Sequence, residues 1–380
     1  MLGLRPTTAG PAETVDDPLT APDAARAVEP VLERVLDVHL SRAHDVDPVY
    51  ARDVAGRVAT LVRRGGKRLR TAFAWCGWRA AGGAGDGTDV LRIGAALELL
   101  QACALIHDDV MDGSPLRRGA PAVHVDLAAM HRARRMSGSA EEFATSAAVL
   151  AGDLALAWAD DLLTETALAS PHGTRLLREW RAMRGEMVAG QYRDLHAQAT
   201  GTVGVDEALT IATLKSALYT VERPMALGAA LAGADAYTVD ALRAAGRCAG
   251  LAFQLRDDLL GAFGDPALTG KPVGEDLWTR KPTYLLAVGL GLADAAGDEE
   301  AVSLLSPGAA GRPGVTVERM RAALERTGAR SVVESRIAGL ARTALRSFER
   351  SGADLAVRRE FAVLVERASG VSPSRAEGVR

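Results

Sequence analysis

The chain is poor in cysteine, in aromatic residues and, most unusually, in lysine. Its three cysteines, Cys76, Cys103 and Cys248, show no CxxC spacing. They read as small core residues in a reducing compartment, not as a disulfide framework or a zinc knuckle. Aromatic residues make up 4% of the chain, β-branched clusters are rare and alternating apolar–polar runs are short, so strands are not expected. No stretch reaches 18 consecutive apolar residues, which argues against a membrane span. The N-terminus, MLGLRPTTAGPAET, has no basic-then-apolar signal segment, and a cytoplasmic location is expected. A formal charge of -3 and the lack of a basic stripe with interleaved aromatics exclude a nucleic-acid partner. Neither GxGxxG nor GxxxxGK[ST] occurs.

What is present is alanine- and leucine-rich, helix-forming sequence, 48% apolar over 380 residues, enough for one large core or two. Of 45 basic residues only four are lysine: Lys67, Lys215, Lys271 and Lys281. An ammonium is a compact point charge where guanidinium is a wide fork, and crowded phosphate oxygens can require the compact group.

The pattern centres on Leu91 to Gly119, LRIGAALELLQACALIHDDVMDGSPLRRG. An apolar helix there meets Asp108, Asp109 and Asp112. Asp108 and Asp112 share a helix face. Such a pair repels itself, and burying it is expensive unless a cation is bound. Magnesium suits it, because this ion takes one or two carboxylates and completes its shell with water and substrate phosphate. Arg117 and Arg118 follow, with forked donors for phosphate. Taken alone, the stretch also fits a solvated acidic helix end. A second stretch, Leu251 to Ala267, LAFQLRDDLLGAFGDPA, repeats the pattern with Asp257 and Asp258, but Gly261 stands where a third acid is expected.

Along the rest of the chain, residues 1–25 read as a disordered or loosely packed arm. Helices are expected from Pro30 to His44 and from Tyr50 to Arg63. Arg64-Gly65-Gly66-Lys67-Arg68 forms a glycine turn into a further helix, where Lys67 and Arg68 would grip a diphosphate; a solvated basic turn has the same look. The segment 130–142 reads as an exposed loop, basic and then polar, with a partner or phosphate contact left open. Apolar helix 144–163 suggests central burial or a subunit interface. Glu222-Arg223-Pro224 marks a kink. Closing helices are expected at 285–295, 315–327 and 332–349. A main domain over 26–360 leaves 361–380 as a frayed end.

Eight ordered motifs resemble the trans-isoprenyl diphosphate synthases, the polyprenyl synthetase family: GGKRLR at 65–70, LIHDDVMD at 105–112, LRRG at 116–119, LAGD at 150–153, GQYRDL at 190–195, the Lys215 segment, FQLRDD at 253–258 and GKPVGEDL at 270–277. The resemblance covers roughly residues 30 to 350. It implies an all-α isoprenoid synthase fold, a single helical bundle around a central cavity, and a homodimer. The implied activity is head-to-tail (1'-4) condensation of isopentenyl diphosphate with dimethylallyl, geranyl or farnesyl diphosphate. Three Mg2+ ions are implied with substrate bound, held by Asp108, Asp112 and Asp257. Arg117, Lys215 and Lys271 would share the allylic diphosphate's charge, with Lys281 nearby, Gln191 and Gln254 near the cavity mouth, and Gln191 and Asp194 bordering the allylic substrate and its metals. Lys67, Arg68, Gln101 and Arg118 would hold isopentenyl diphosphate. Within the family the departing diphosphate is thought to take the released proton. Two departures stand out: Gln101 where many bacterial members have histidine, and Gly261.

Geranylgeranyl diphosphate (C20) is the expected product. At 1.5 Å rise per residue, Ala104 and Cys103 lie about 6 to 7.5 Å deeper than Asp108. Farnesyl-forming relatives place aromatic residues there as a floor. Here both are small, and one of the leucines a turn deeper, Leu100 or Leu99, is expected to stop the tail. A floor supplied by another helix would give farnesyl diphosphate (C15), and a longer product is the other departure. A non-catalytic regulatory subunit would be expected to lose the first aspartate motif or the lysines, and neither is lost. A class I terpene cyclase normally carries an Asn/Asp-Ser/Thr-Glu triad in place of Asp257-Asp258, and lacks the GGKR turn.

Overall fold

The computed structural model describes residues 20–264, 274–307 and 314–371. Helix α1 spans Ala21–Val46. Thr20 caps it, its hydroxyl accepting from the Asp23 N–H at 3.3 Å, and Pro22 sits in the first turn. The expected start at Pro30 is corrected, since α1 already begins at Ala21, and residues 21–25 of the expected arm are helical, while residues 1–19 lie outside the described residues. Pro30 lies inside the helix. A proline there costs about 3 kcal/mol, offset by burial of Ala24, Val28, Val31 and Leu32 on the same helix.

Next come α2 (Pro48–Tyr50), a π-helical turn (Ala51–Ala55), α3 (Gly56–Arg63), α4 (Leu69–Ala80) and α5 (Thr88–Met111). A short hairpin pairs β1 (Leu116–Arg117) with β2 (Ala120–Pro121), the only strands among the described residues. Then follow α6 (Val123–Ala133) and α7 (Ala140–Ala169). The loop expected over 130–142 is thus shorter. Ser139 caps α7 by accepting from the Glu142 N–H at 3.2 Å, and Gly152-Asp153 do not interrupt it.

The chain continues through α8 (Gly173–Thr200), α9 (Val205–Ile211), a π-helix (Ala212–Glu222), α10 (Arg223–Leu231) and α11 (Ala236–Phe263). The irregularity expected at Pro224 lies before it. Pro224 lies in the first turn of α10, which runs on from the π-helix without a break, so its missing N–H takes a donor out of a continuous helix, and the widened backbone just before it is the π-helix. The last elements are α12 (Glu275–Trp278), α13 (Tyr284–Ala296), α14 (Glu299–Leu305), α15 (Val317–Arg326), α16 (Ala329–Glu349) and α17 (Leu355–Ser369). The end expected to fray from 361 is helical as far as Ser369. Phe361 stacks on Phe348 with centroids 4.1 Å apart, and Leu364 and Val365 are buried.

Helix α5 is the centre, packed on α1, α4 and α7. It is buried on nearly all sides, which is why its sequence is apolar all round instead of striped. Its length and composition would suffice to cross a membrane, but its most apolar window is 72% buried in the bundle. Helix α11 packs against α16 and the π-helix. Together α5 and α11 deliver their aspartate-bearing ends to one cavity.

Candidate active site

That cavity has a volume of about 750 Å3, and Asp108, Asp257 and Asp258 line it with Lys67, Lys215 and Lys281. The last turn of α5 supplies Asp108 and Asp109, and Asp112 caps its C-terminus with its N–H on the Asp108 carbonyl at 2.8 Å. Asp109 is buried, Asp108 partly so, and carboxylates crowded in this way need partners; three cations arrive from three other elements. The β-hairpin turns Arg117 back, so that its Nε donates to Asp109 at 2.8 Å and its Nη2 to Asp108 at 3.3 Å. The π-helix supplies Lys215, whose Nζ donates to Asp108 at 3.2 Å and to Asp194 of α8 at 2.6 Å. Lys281, beyond α12, reaches Asp112 at 3.1 Å. Gly190 makes the α8 contact feasible. A Cβ there would stand 2.3 Å from the Lys215 backbone nitrogen, so only glycine lets the two helices cross this closely.

The protonation states follow from this cage. Burial pushes the Asp108 carboxyl up, but Lys215, Lys281 and Arg117 together outweigh it and leave the pKa below the usual carboxylate value. Burial raises Asp109 above its ordinary range despite Arg117. Asp258 is pushed up to about 8 by burial, with Asp276 and Asp257 adding to the effect against the Gln254 amide that donates to it at 2.7 Å. Burial would lower Lys281, yet Asp112, Asp194, Asp108 and Asp276 raise it, so it stays an ammonium.

Most of the expected site residues meet in this cavity. Lys67 is exposed at its edge, and Arg117, Arg118, Gln101, Gln191 and Gln254 line it. Gln101 accepts from the Tyr219 hydroxyl at 2.8 Å. Lys271 lies outside the described residues. Cys103 and Ala104 face the cavity, as the depth argument requires, and Met187 of α8 joins them. Leu100 does not. It is fully buried among helices, because α5 has core on every side and position 100 points into packing instead of the channel.

Arg68 borders the cavity, but its guanidinium is turned inward. It donates to Glu29 at 2.8 and 3.0 Å, to Glu98 at 2.7 Å and to the Val62 carbonyl at 2.9 Å. At 4% exposure it has no fork left for a phosphate. The residue that sequence reasoning missed is Arg70. It stacks over the Tyr219 ring at 4.2 Å, donates to Thr220 at 3.2 Å, and its buried Nε has no partner. The sequence carries no signal for this: α4 begins at Leu69, so Arg68 sits in the cap, with φ of 46°, and Arg70 is the first arginine on the helix proper.

Asp276 was missed as well. A Cβ on Gly261 would lie 2.8 Å from the Asp276 Oδ2, so the space next to Gly261 already holds a carboxylate, delivered by α12. Among the described residues no three His, Cys, Asp or Glu side chains converge tightly enough to hold a metal alone. The all-oxygen set of Asp108, Asp112 and Asp257 fits a hard divalent cation that takes its other ligands from a phosphate.

Comparison with known proteins agrees with this architecture. The family described as Polyprenyl synthetase matches residues 53–312. A geranylgeranyl diphosphate synthase of Mycobacterium tuberculosis is 35% identical over 66% of each chain. A (2E,6E)-farnesyl diphosphate synthase of Mycobacterium bovis is 37% identical over 57% of this chain and 55% of that one. The chain thus spans about two thirds or less of the length of these two relatives. Among solved structures, a geranylgeranyl pyrophosphate synthase of Corynebacterium glutamicum, complexed with isoprenyl diphosphate and magnesium, is 38% identical with a TM-score of 0.86, covering 92% of this chain and 99% of that one. Motifs, helical bundle and cavity therefore agree with the comparisons, and the chain belongs to the polyprenyl synthetase family.

Proposed function

We propose that this protein is a prenyltransferase that condenses isopentenyl diphosphate head to tail with an allylic diphosphate, in the presence of magnesium, to make geranylgeranyl diphosphate. The carrying observation is the one cavity lined both by Asp108, Asp257, Lys215, Arg117 and Lys281 and by apolar side chains that include the small Cys103 and Ala104. Its chemistry matches the ligand that the Corynebacterium relative carries.

In this reading Asp108, Asp112 and Asp257 hold the magnesium ions. When bound, magnesium draws charge onto the allylic diphosphate as its C–O bond breaks. Lys215, Lys281, Arg117 and, from the neighbouring segment, Lys271 neutralise the same oxygens. The carboxylate partners of Lys215, Lys281 and Arg117 hold these three in place beforehand, so little reorganisation is needed when charge develops. Gln191 and Gln254 border the allylic group. Lys67, Arg70 and Arg118 grip the diphosphate of the second substrate, and Gln101 lies beside it. The double bond of isopentenyl diphosphate attacks the allylic cation, and the departed diphosphate takes the proton lost from the adduct. The apolar walls keep water away from the cation.

Small Cys103 and Ala104 favour C20. A second reading, C15, has its own observation: Met187 of α8 lines the same cavity and could form the floor. Exposed Val149 and Leu150 on α7 support a homodimer that covers them.

Purified protein given labelled isopentenyl diphosphate with dimethylallyl, geranyl or farnesyl diphosphate should turn over with magnesium and stop on chelation. Absence of product with every primer in the presence of magnesium refutes the assignment, and a C15 end product refutes the chain length alone.

A further inference from the structure

A second concavity, of about 380 Å3, lies outside the catalytic cavity, walled by the π-helical turn at Ala51–Ala55, α3, the end of the β-hairpin and α6. Its lining holds four arginines, Arg52, Arg57, Arg64 and Arg134, against two carboxylates, Asp53 and Asp126. Arg134 comes from the basic segment that follows α6, for which the proposed reaction has no use.

The carboxylates occupy part of this positive charge. Asp53 receives Arg52 at 2.8 and 2.9 Å and Arg134 at 2.8 and 3.1 Å. Arg57 donates to Asp126 at 2.7 Å and to the Asp53 carbonyl at 2.6 Å, on a backbone stretch that the π-turn has widened. An ion network that merely ties α6 to the π-turn would need no more than this. It leaves Arg64 exposed without a partner among the described residues, and two positive charges in excess. Both lining carboxylates are already engaged, which leaves the exposed Arg64 fork open to an anion from solution.

We propose that this pocket binds a diphosphate group, carried either by free inorganic diphosphate or by a prenyl diphosphate. Guanidinium forks match phosphate oxygens in pairs, and the volume lies in the range of small-ligand sites. The choice of diphosphate over other phosphoanions rests on the reaction proposed above, which releases one in the adjoining cavity. The two sites also share a wall. Leu61 lines the pocket, and its carbonyl accepts from Arg118 at 3.5 Å. Pro121 lines it too, paired in the hairpin with Leu116, next to Arg117.

The test is calorimetric titration of the full chain with inorganic diphosphate, inorganic phosphate and geranyl diphosphate, without magnesium. Four proteins are compared: wild type, a cavity variant (Lys67→Ala with Arg118→Ala), a pocket variant (Arg52→Ala with Arg64→Ala) and the two combined. Both pocket side chains are solvent-exposed, so the variant should fold; Arg64→Glu is the single-site alternative. The cavity variant still holds Lys215, Lys281 and Arg117, so its remaining diphosphate binding is assigned to the pocket by adding Arg52→Ala and Arg64→Ala to it, which should remove one site per chain or weaken it at least tenfold. The pocket variant should lose that site or weaken it at least tenfold, with KM for both substrates unchanged. Binding of geranyl diphosphate alone identifies the ester as the source, and binding of inorganic diphosphate identifies the free anion. A cavity variant that binds neither, or a pocket variant with wild-type stoichiometry and affinity, overturns the proposal. The readout needs no turnover, so failure of the condensation assay would be a separate result.

Discussion

Arg68 and Arg70 stand two residues apart in one motif, but only Arg68 is turned into a buried ion pair. Arg68 is 4% exposed and Glu98 5%, with 2.7 Å between their charged atoms. Replacing Arg68 by alanine leaves Glu98 buried without its ion-pair partner, which costs about 3–5 kcal/mol. In a chain of this length each kcal/mol moves Tm by about 2 °C or less, so the melting temperature should fall by up to about 10 °C. KM for isopentenyl diphosphate should stay near wild type in whatever fraction remains folded. Pairing Arg68→Met with Glu98→Leu should recover much of the loss, because a well-packed apolar pair needs no charge compensation. Arg70→Ala should do the reverse. It removes a charged hydrogen bond to substrate worth about 1.5–3 kcal/mol, which corresponds to a rise in KM of roughly 10- to 150-fold. The turnover number should change little, since the contact is made equally before and during reaction. The assays are thermal unfolding and steady-state kinetics with isopentenyl diphosphate varied. If Arg68→Ala keeps its Tm but loses affinity while Arg70→Ala binds normally, the reasoning is refuted.

Three further outcomes are expected. Cys103→Phe and Ala104→Phe should shorten the product on chromatography; if wild type already stops at C15 and neither variant changes it, the floor lies elsewhere. Gly261→Asp should change kcat by less than tenfold, because Asp276 already fills that space, whereas Asp257→Ala should exceed the ~10- to 100-fold loss typical of outer-shell metal partners; comparable losses would reverse the ranking. Asp53, held well below the usual carboxylate pKa by hydrogen bonds from Arg52 and Arg134, contributes stability above the unfolded-state value of about 3.9 that disappears as pH falls through the lower folded value. Asp53→Asn should therefore lower urea stability at pH 7, and the gap to wild type should narrow in acid below pH ~4.

By itself the sequence determined the fold class and the reacting ends of two helices. A helix repeat places Asp108 and Asp112 on one side whatever surrounds them, and a long apolar stretch such as Leu91–Ile106 must be buried. The lysines were legible because so few occur. Helix limits were less so. Pro30 looked like a start because the cap at Thr20 lies in a segment of weak apolar pattern, and the final helix was hidden because its burial depends on Phe348 of the helix before it and on Phe73, far back in the chain. Tertiary structure alone decided which arginine turns inward, since Glu29 and Glu98 are distant in sequence from Arg68. It also decided that Leu100 packs into core, that Asp276 stands beside Gly261, and that Asp194 closes on Lys215. These are contacts between separate elements. Local periodicity fixes which face of a helix a side chain shares, but only packing fixes what that face meets.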